Sequence, residues 1–194
     1  MISIMGFRTL SGLGIVLGAL LIAWSAAADD AELIAALQSG EHIALMRHST
    51  APGTGDPPNL RIGDCATQRN LSPGGRTQAA EIGAHLRANG LNAARLVSSQ
   101  WCRCLDTARL LSVGDIEELP FLNSLVSYPD ERAEMTASLG EWIAEQDLSA
   151  PTILVTHAIN IRALTGHSTA QGEIVVAERT AGGALRIVGS ILPR

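Results

Sequence analysis

The sequence contains no lysine: all 14 of its basic residues are arginines. This absence excludes Schiff-base chemistry on a lysine, attachment of pyridoxal phosphate and the lysine of a nucleotide-binding P-loop. The chain also lacks any run of basic residues, and its formal net charge at pH 7 is −5, so nucleic acid is a poor candidate partner. What remains is a set of planar guanidinium groups, which are suited to two-point contacts with phosphate.

Long apolar runs are confined to the N-terminal segment. Residues 1–28 carry a single charge, Arg8, followed by the apolar stretch Leu10–Trp24 and the small residues Ala26–Ala28. This layout predicts a secretory signal peptide with its cleavage site. The stretch covers about fifteen residues, fewer than the roughly 20 of a spanning helix, and no cysteine lies nearby to carry a lipid anchor. We expect a periplasmic or secreted protein without stable membrane insertion after cleavage; a retained membrane anchor is the alternative.

Cysteine is scarce, with only Cys65, Cys102 and Cys104 present. In an exported chain, one disulfide between Cys65 and either Cys102 or Cys104 is expected, which leaves one thiol over. Free thiols at two or all three positions are the alternative. We expect no metal site, because three sulfurs without histidines at zinc-ligand spacing make a weak ligand set.

Residues 29–194 suffice for one domain and are too few for two. Apolar strand-like runs alternate with amphipathic segments along this part of the chain. Strands are predicted at 43–46, 96–97, near 118–119 and at 152–156, and helices at 30–38, from 73, at 101–111, at 131–145 and near 160–164; a hairpin follows at 173–177 and 184–188. The alternation predicts an α/β three-layer sandwich with a mostly parallel central sheet.

Three of these strands end on residues that can handle phosphate. Arg47 and His48 follow the first strand, Arg103 stands in the strand-to-helix turn after the second, and His157 follows the strand 152–156. Ligands of α/β sheets bind at the carboxyl ends of the strands, so a phosphate pocket with a histidine nucleophile is expected there. The stretch 51–70 is rich in proline and glycine and predicts a long loop beside that pocket. Arg69 and Asn70 at its end are candidates for the pocket mouth, with a surface charge and a turn as their alternative roles.

Four segments in this order resemble the histidine phosphatase superfamily, the fold shared by phosphoglycerate mutases and many small phosphatases. They are Arg47-His48 after a strand, residues 71–79 (LSPGGRTQA), residues 98–108 (SSQWCRCLDTA) and Thr156-His157. Residues 63–70 and 101–104 further resemble those of a group of small exported bacterial members. The resemblance therefore covers most of the chain after the N-terminal segment.

The resemblance implies a metal-independent phosphomonoesterase that needs no cofactor and acts on a small phosphorylated substrate. It implies that His48 attacks phosphorus and becomes a phosphohistidine, which water then hydrolyses. Arg47, Arg103 and His157 would bind the phosphoryl oxygens. Nearby positive charge supports this role for His48, because it lowers the pKa of the imidazole and keeps it nucleophilic. Asn160 is a further candidate contact, with a helix N-cap role as its alternative.

The sequence departs from the family pattern in two places. Ser49 stands where many relatives have glycine. The proton-donating glutamate of the family has no clear counterpart, and Glu131 is favoured over its neighbours Asp130 and Glu134. A solvated acid at a helix start is the alternative role of Glu131, and Asp64 in the long loop is another candidate donor.

Two other functions compete with a phosphomonoesterase. The missing acid favours a catalytically weak or inactive phosphate-binding module of the same fold. A phosphoglycerate mutase-type phosphotransferase is the second alternative, although export counts against it because soluble phosphoglycerates belong to the cytosol.

Overall fold

A computed structural model of the chain describes Met1 and residues 29–193. The predicted signal peptide lies outside the described residues, apart from Met1. The elements are α1 (Asp30–Leu37), β1 (His42–Arg47), α2 (Pro73–Ala88), β2 (Arg95–Ser98), α3 (Cys102–Leu111), β3 (Ile116–Glu118), α4 (Arg132–Glu145), β4 (Thr152–Thr156), α5 (Ala158–Thr165), β5 (Ile174–Arg179) and β6 (Leu185–Ile191), with short 3-10 helices at Cys65–Thr67 and Pro120–Leu122. Among the described residues, no helix combines the length and the hydropathy that crossing a membrane requires.

The six strands form one sheet in the order β3-β2-β4-β1-β5-β6. The first four strands in this order run parallel, whereas β5 pairs antiparallel with β1 and with β6. The C-terminal strands β5 and β6 are the predicted hairpin. The α/β fold class with a mostly parallel central sheet, predicted from the sequence, is therefore confirmed.

Neighbouring residues of each central strand belong to different apolar cores. Ala44 and Met46 of β1 pack with side chains of α1, α2 and α3, whereas Ile43 and Leu45 pack with side chains of α4 and α5. Successive side chains of a strand point to opposite faces of the sheet, so the helices cover both faces and make three layers. This burial on two sides explains why β1 is a continuous apolar run.

The start of α2 is fixed against the segment that follows His48. Ser72 caps the helix by accepting a hydrogen bond from the amide of Gly75 at 2.9 Å, and Pro73 occupies the first turn, where its missing N–H costs nothing. The amide of Ser72 donates to the carbonyl of Thr50 at 3.0 Å. A Cβ on Gly75 would lie 2.0 Å from that same carbonyl oxygen, so only glycine allows this contact. The contact holds residues 48–50 at the edge of the sheet.

Candidate active site

The two predicted histidines meet because β1 and β4 are parallel neighbours. Arg47 pairs with Thr156 in the register of the sheet, and the amide of His48 donates to the Thr156 carbonyl at 3.0 Å. The chain therefore leaves both strands at the same edge, where the rings of His48 and His157 lie 5.5 Å apart between centroids. The two side chains are 2% and 4% exposed, so they form the floor of a site rather than a surface pair.

The turn between β2 and α3 brings Arg103 to the same edge. The amide of Ser99 donates to the carbonyl of Val155 at 2.9 Å, which continues the pairing of β2 with β4 beyond the last strand residue. Helix α3 then begins at Cys102, so Arg103 lies in its first turn. The arginine is 2% exposed, and its Nη2 lies 3.4 Å from Nδ1 of His157.

The long loop contributes Arg69, a candidate for the pocket mouth from the sequence, and Asp56, which the sequence did not single out. Asp56 forms a two-point ion pair with Arg103, with distances of 2.6 Å to Nη1 and 3.0 Å to Nη2. Arg69 donates from Nε to the carbonyl of Gly55 at 2.8 Å and from Nη1 to the carbonyl of Ala51 at 2.6 Å. The loop thus folds over the strand ends and adds a third guanidinium and a carboxylate to them.

These side chains enclose a cavity of about 190 Å³. Its lining combines the basic and histidine side chains of the strand ends with a small apolar rim. The residues are Arg47, His48, Gly55, Asp56, Arg69, Arg103, Ser124, Val126, His157, Ala158 and Ile159. A wider surface groove beside the β5–β6 hairpin, about 720 Å³, has no histidine in its lining. The cavity at the strand ends is therefore the candidate active site.

One hydrogen bond fixes the proton of His48. Nδ1 lies 2.8 Å from the carbonyl oxygen of Ser49, and because a carbonyl can only accept, Nδ1 carries the proton. The lone pair of the neutral ring is consequently on Nε2. Burial, reinforced by the charges of Arg103 and Arg69 and opposed by the bond to Ser49, lowers the pKa of His48 to about 3. The imidazole is therefore neutral at physiological pH, as a nucleophile must be.

His157 is held in the opposite tautomer. Its Nδ1 faces the guanidinium of Arg103, which can only donate a hydrogen bond. The ring proton therefore lies on Nε2, 3.1 Å from the hydroxyl of Ser99. Burial and the charge of Arg103, together with His48, lower the pKa of His157 well below its ordinary value. Trp101 packs edge-on against this ring at 5.6 Å. His157 is thus a neutral ring held in place by its hydrogen bonds.

The cavity has a positive formal charge that matches a phosphate dianion. Three arginines line it, and among the described residues Asp56 is the one acid in the lining. With both histidines neutral, three positive charges and one negative charge leave a net of +2. Nε of Arg47 and Nε of Arg103 are buried and, within residues 29–193, have no hydrogen-bond partner. The net positive charge of the lining is complementary to an anionic ligand.

The other residues proposed from the sequence lie elsewhere. Asn160 is buried, but its amide donates to the carbonyl of Asn123 at 2.8 Å and accepts from the amide of Leu125 at 3.4 Å, so it anchors a loop beside the cavity. Glu131 is exposed at the N-cap of α4 and is not in the lining. Asp64 caps the 3-10 helix at Cys65 instead of facing the cavity. Glu131 is therefore not brought to the cavity. Of the described residues between Arg103 and His157, Ser124 and Val126 are the ones that line it.

The cysteines are divided between a disulfide and a thiol. Cys65 is bonded to Cys102, and Cys104 is free and buried. Burial, partly offset by the charge of Arg103, raises the pKa of the Cys104 thiol to about 12, so it remains protonated although its sulfur lies 3.6 Å from Nε2 of His157. No group of three metal-ligating side chains occurs in the described part of the chain.

Solved structures of phosphatases share this architecture. The protein histidine phosphatase SixA in complex with tungstate is 16% identical, with a TM-score of 0.54 over 78% of this chain and 96% of that one. Phosphoserine phosphatase from Entamoeba histolytica, solved as a variant in complex with phosphoserine, is 13% identical, with a TM-score of 0.57 over 77% of this chain and 95% of that one. Mycobacterial glucosyl-3-phosphoglycerate phosphatase is 15% identical, with a TM-score of 0.53 over 76% and 96%.

No protein-family model and no curated protein matches the chain by sequence. The structural likeness nevertheless extends over almost the full length of each of the three phosphatases. Because the sequence identities are only 13–16%, this likeness is one of backbone fold. The chain therefore has the fold of these phosphatases, as expected from the resemblance of its four sequence segments.

Proposed function

We propose that this protein is a phosphomonoesterase that works through a phosphohistidine on His48 and needs no metal ion. The observation that carries the proposal is the neutral imidazole of His48, with its proton fixed on Nδ1 and its lone pair on Nε2, in a cavity lined by three arginines. A nucleophile and a charge-complementary site for its target are thus present together. The fold of phosphatases supports the same reaction class.

The reaction has two displacements at phosphorus. In the first, the lone pair on Nε2 of His48 forms a nitrogen–phosphorus bond while the bond to the leaving oxygen breaks, and that oxygen keeps the electron pair and takes a proton from solvent water. In the second, the oxygen of a water bonds to phosphorus and gives up a proton to the solvent, the nitrogen–phosphorus bond breaks, and the electron pair returns to Nε2. Inorganic phosphate leaves, and His48 is neutral again.

The arginines stabilise the charge of the transferring group. Phosphoryl transfer spreads negative charge over three oxygens, and positioned guanidinium groups stabilise it most strongly where water is excluded. Arg103 is 2% exposed, and Arg47 is held by the carbonyl of Thr169 at 2.7 Å from its Nη1. Arg69 joins them from the loop. These groups supply the positive charge that a divalent cation supplies in other phosphatases.

His157 contributes to phosphoryl binding only when it gains a proton. In the described state its Nδ1 accepts from Arg103 and its Nε2 faces Ser99. A phosphate dianion in the cavity favours the protonated ring and so raises the pKa of His157. The Nδ1 proton then points to a phosphoryl oxygen in place of the contact with Arg103.

The same proposal includes export. The segment 1–28 has the features of a signal peptide. The disulfide between Cys65 and Cys102 supports export, because disulfides persist in oxidising compartments outside the cytosol. The substrate is therefore a small phosphorylated compound met in the periplasm or outside the cell.

The direct test is hydrolysis of para-nitrophenyl phosphate by the mature protein in the presence of a chelator. We expect turnover that resists the chelator and disappears in His48→Ala. The matched control is His42→Ala, because His42 begins the same strand, is not in the cavity lining, and has its ring hydrogen-bonded to the hydroxyl of Ser39 at 3.0 Å. A folded protein that binds vanadate but releases no nitrophenol would instead be a phosphate-binding module. Loss of activity with the chelator would refute the metal-independent scheme.

A further inference from the structure

Asp56 has an unusually complete set of hydrogen bonds for a carboxylate in a ligand cavity. One oxygen accepts from Nη1 of Arg103 at 2.6 Å and from the amide of Arg69 at 3.2 Å. The other accepts from Nη2 of Arg103 at 3.0 Å and from Nε1 of Trp101 at 3.0 Å. The side chain is 8% exposed. Asp56 is thus built into the wall of the cavity.

The same contacts leave little freedom to Arg103. Its Nη1 also donates to the carbonyl of Arg69 at 3.2 Å, and its Nη2 also approaches Nδ1 of His157 at 3.4 Å. The four hydrogens of the two Nη groups therefore all have partners, two of them on Asp56. The contact of Nη2 with His157 is the longest of the four, and its hydrogen is the one that a phosphoryl oxygen would accept. The buried Nε keeps a hydrogen without a partner in the described residues. These contacts hold the guanidinium in one orientation.

We propose that Asp56 is a positioning residue that holds Arg103 in the orientation required for phosphoryl binding. The proposal rests on the proposed function only in that the ligand is a phosphoryl group or an analogue of one. Asp56 acts through the arginine and does not exchange a proton with the substrate. It is therefore distinct from the proton donor that the sequence led us to expect at Glu131.

Electrostatics give a reason for such a residue. Three guanidinium groups line one small cavity. Their positive charges repel each other, and this repulsion is strongest where little water is present to screen it. A buried arginine without a partner carries a large desolvation cost, which a two-point carboxylate offsets. One aspartate therefore keeps Arg103 in place and still leaves a net positive cavity.

An alternative role would make Asp56 an internal anion that occupies the ligand's place and must leave before phosphate enters. The additional contacts argue against this role. The amide of Arg69 and the indole of Trp101 hold the carboxylate independently of Arg103, so displacement would break four hydrogen bonds. Removing the charge of Asp56 would weaken anion binding if Asp56 positions Arg103, and would strengthen it if Asp56 occupies the ligand's place.

The test is a binding titration of orthovanadate and of inorganic phosphate to the mature protein with its disulfide intact. We expect Asp56→Asn to weaken the binding of both anions by about tenfold or more. Asp64→Asn is the matched control, because Asp64 lies in the same loop, pairs with the exposed Arg61 and is outside the cavity. Unchanged or tighter binding by Asp56→Asn would overturn the proposal.

A double-mutant cycle shows whether the effect passes through Arg103. We expect Asp56→Asn to weaken anion binding much less in an Arg103→Lys background than in the wild-type background, because lysine lacks the two-point geometry. An equal loss in both backgrounds would assign Asp56 a merely structural role and overturn the proposal.

Asp56→Glu separates geometry from charge and serves also if the asparagine variant does not fold. It keeps the net charge but moves the carboxylate by one methylene, so we expect weaker anion binding at an unchanged charge. Binding equal to that of the wild type would contradict the proposal. These measurements need no turnover, so an inactive wild-type protein would defeat the proposed function and leave the test of Asp56 intact.

Discussion

The disulfide between Cys65 and Cys102 joins the long loop to the first residue of α3, directly before Arg103. The loop carries Asp56 and Arg69, so the bond fastens one wall of the cavity to the helix that supplies the buried arginine. A second contact supports it, since the side-chain oxygen of Gln68 accepts from the amide of Cys102 at 2.9 Å. The order of the site thus depends on a covalent link outside it.

Reduction of this disulfide is expected to lower both stability and activity. The bond closes a segment of 37 residues, for which loop-closure entropy predicts a contribution of about 4 kcal/mol to the free energy of unfolding. Cys65 is exposed, so dithiothreitol can reach the bond. We expect a lower melting temperature and a lower kcat/KM after reduction, measured by thermal denaturation and by hydrolysis of para-nitrophenyl phosphate.

A Cys65→Ser/Cys102→Ser double variant is the control for that experiment. It should resemble the reduced protein and should not respond to dithiothreitol, because the buried Cys104 is its only remaining cysteine. An unchanged kcat/KM in this variant would show that the loop keeps its place without the bond.

Arg69 is expected to contribute to catalysis from within the loop. Replacing it by glutamine removes one of the three positive charges of the cavity, and we expect kcat/KM to fall by about a hundredfold, the usual cost of losing one group that stabilises transition-state charge. Arg61→Gln is the matched control, since its side chain is 72% exposed and pairs with Asp64 in the same loop. Steady-state kinetics on both variants provide the comparison; equal rates would exclude Arg69 from the site.

The site residues at the strand ends could be predicted from the sequence, because each of them comes soon after a buried apolar run. Residues 152–156 form β4 as predicted, and β1 contains the predicted run 43–46. Carboxyl ends of adjacent parallel strands lie side by side, so His48 and His157 had to be close once β1 and β4 were neighbours. The apolar pattern of β1 and β4 was therefore sufficient to predict that His48 and His157 lie at the same edge of the sheet.

The loop residues could not be predicted in the same way. Residues 51–70 have no apolar periodicity, and the contact of Asp56 with Arg103 joins positions 47 residues apart in sequence. Such a contact depends on how the loop packs, which local preferences do not encode. The available signal was Cys65, because a bond to Cys102 brings this loop beside Arg103. Glu131 illustrates the converse, since its position in the chain fits the family pattern, whereas its side chain is exposed at the start of α4 and does not line the cavity. Its role as proton donor stays a prediction.

Within residues 29–193, the cavity is lined by no acid other than the paired Asp56, which predicts a strong dependence on the leaving group. Burial raises the pKa of Asp56, but its hydrogen bonds and its charge interaction with Arg103 outweigh burial and lower it, so the carboxylate is ionised. General acid catalysis contributes about a hundredfold or more to such reactions, and we expect para-nitrophenyl phosphate to be hydrolysed faster than glycerol phosphate by at least that factor.

Glu131→Gln provides the check on this expectation. A substitution at an exposed helix start should change kcat/KM for glycerol phosphate by no more than about twofold. A selective loss on glycerol phosphate, with para-nitrophenyl phosphate unaffected, would instead identify Glu131 as the proton donor.

The lowered pKa of His48 makes stability depend on pH. The ring has a pKa of about 3 in the folded protein and 6.5 as its ordinary value, so between these values only the unfolded chain takes up the proton. Uptake by the unfolded state lowers the free energy of unfolding as pH falls below 6.5. We expect a lower melting temperature at pH 5 than at pH 7, and a smaller difference in His48→Gln. An identical difference in both proteins would contradict a buried neutral His48.

The most direct measurement of the central claim is the mass of the enzyme during turnover. After rapid quenching with base, which preserves phosphohistidine, we expect a species heavier by one phosphoryl group, with the modification on the peptide containing His48. His48→Ala should lack this species while still binding vanadate. Steady turnover by the wild-type protein with no phosphorylated enzyme at any time, or with the phosphoryl group on another residue, would contradict the account.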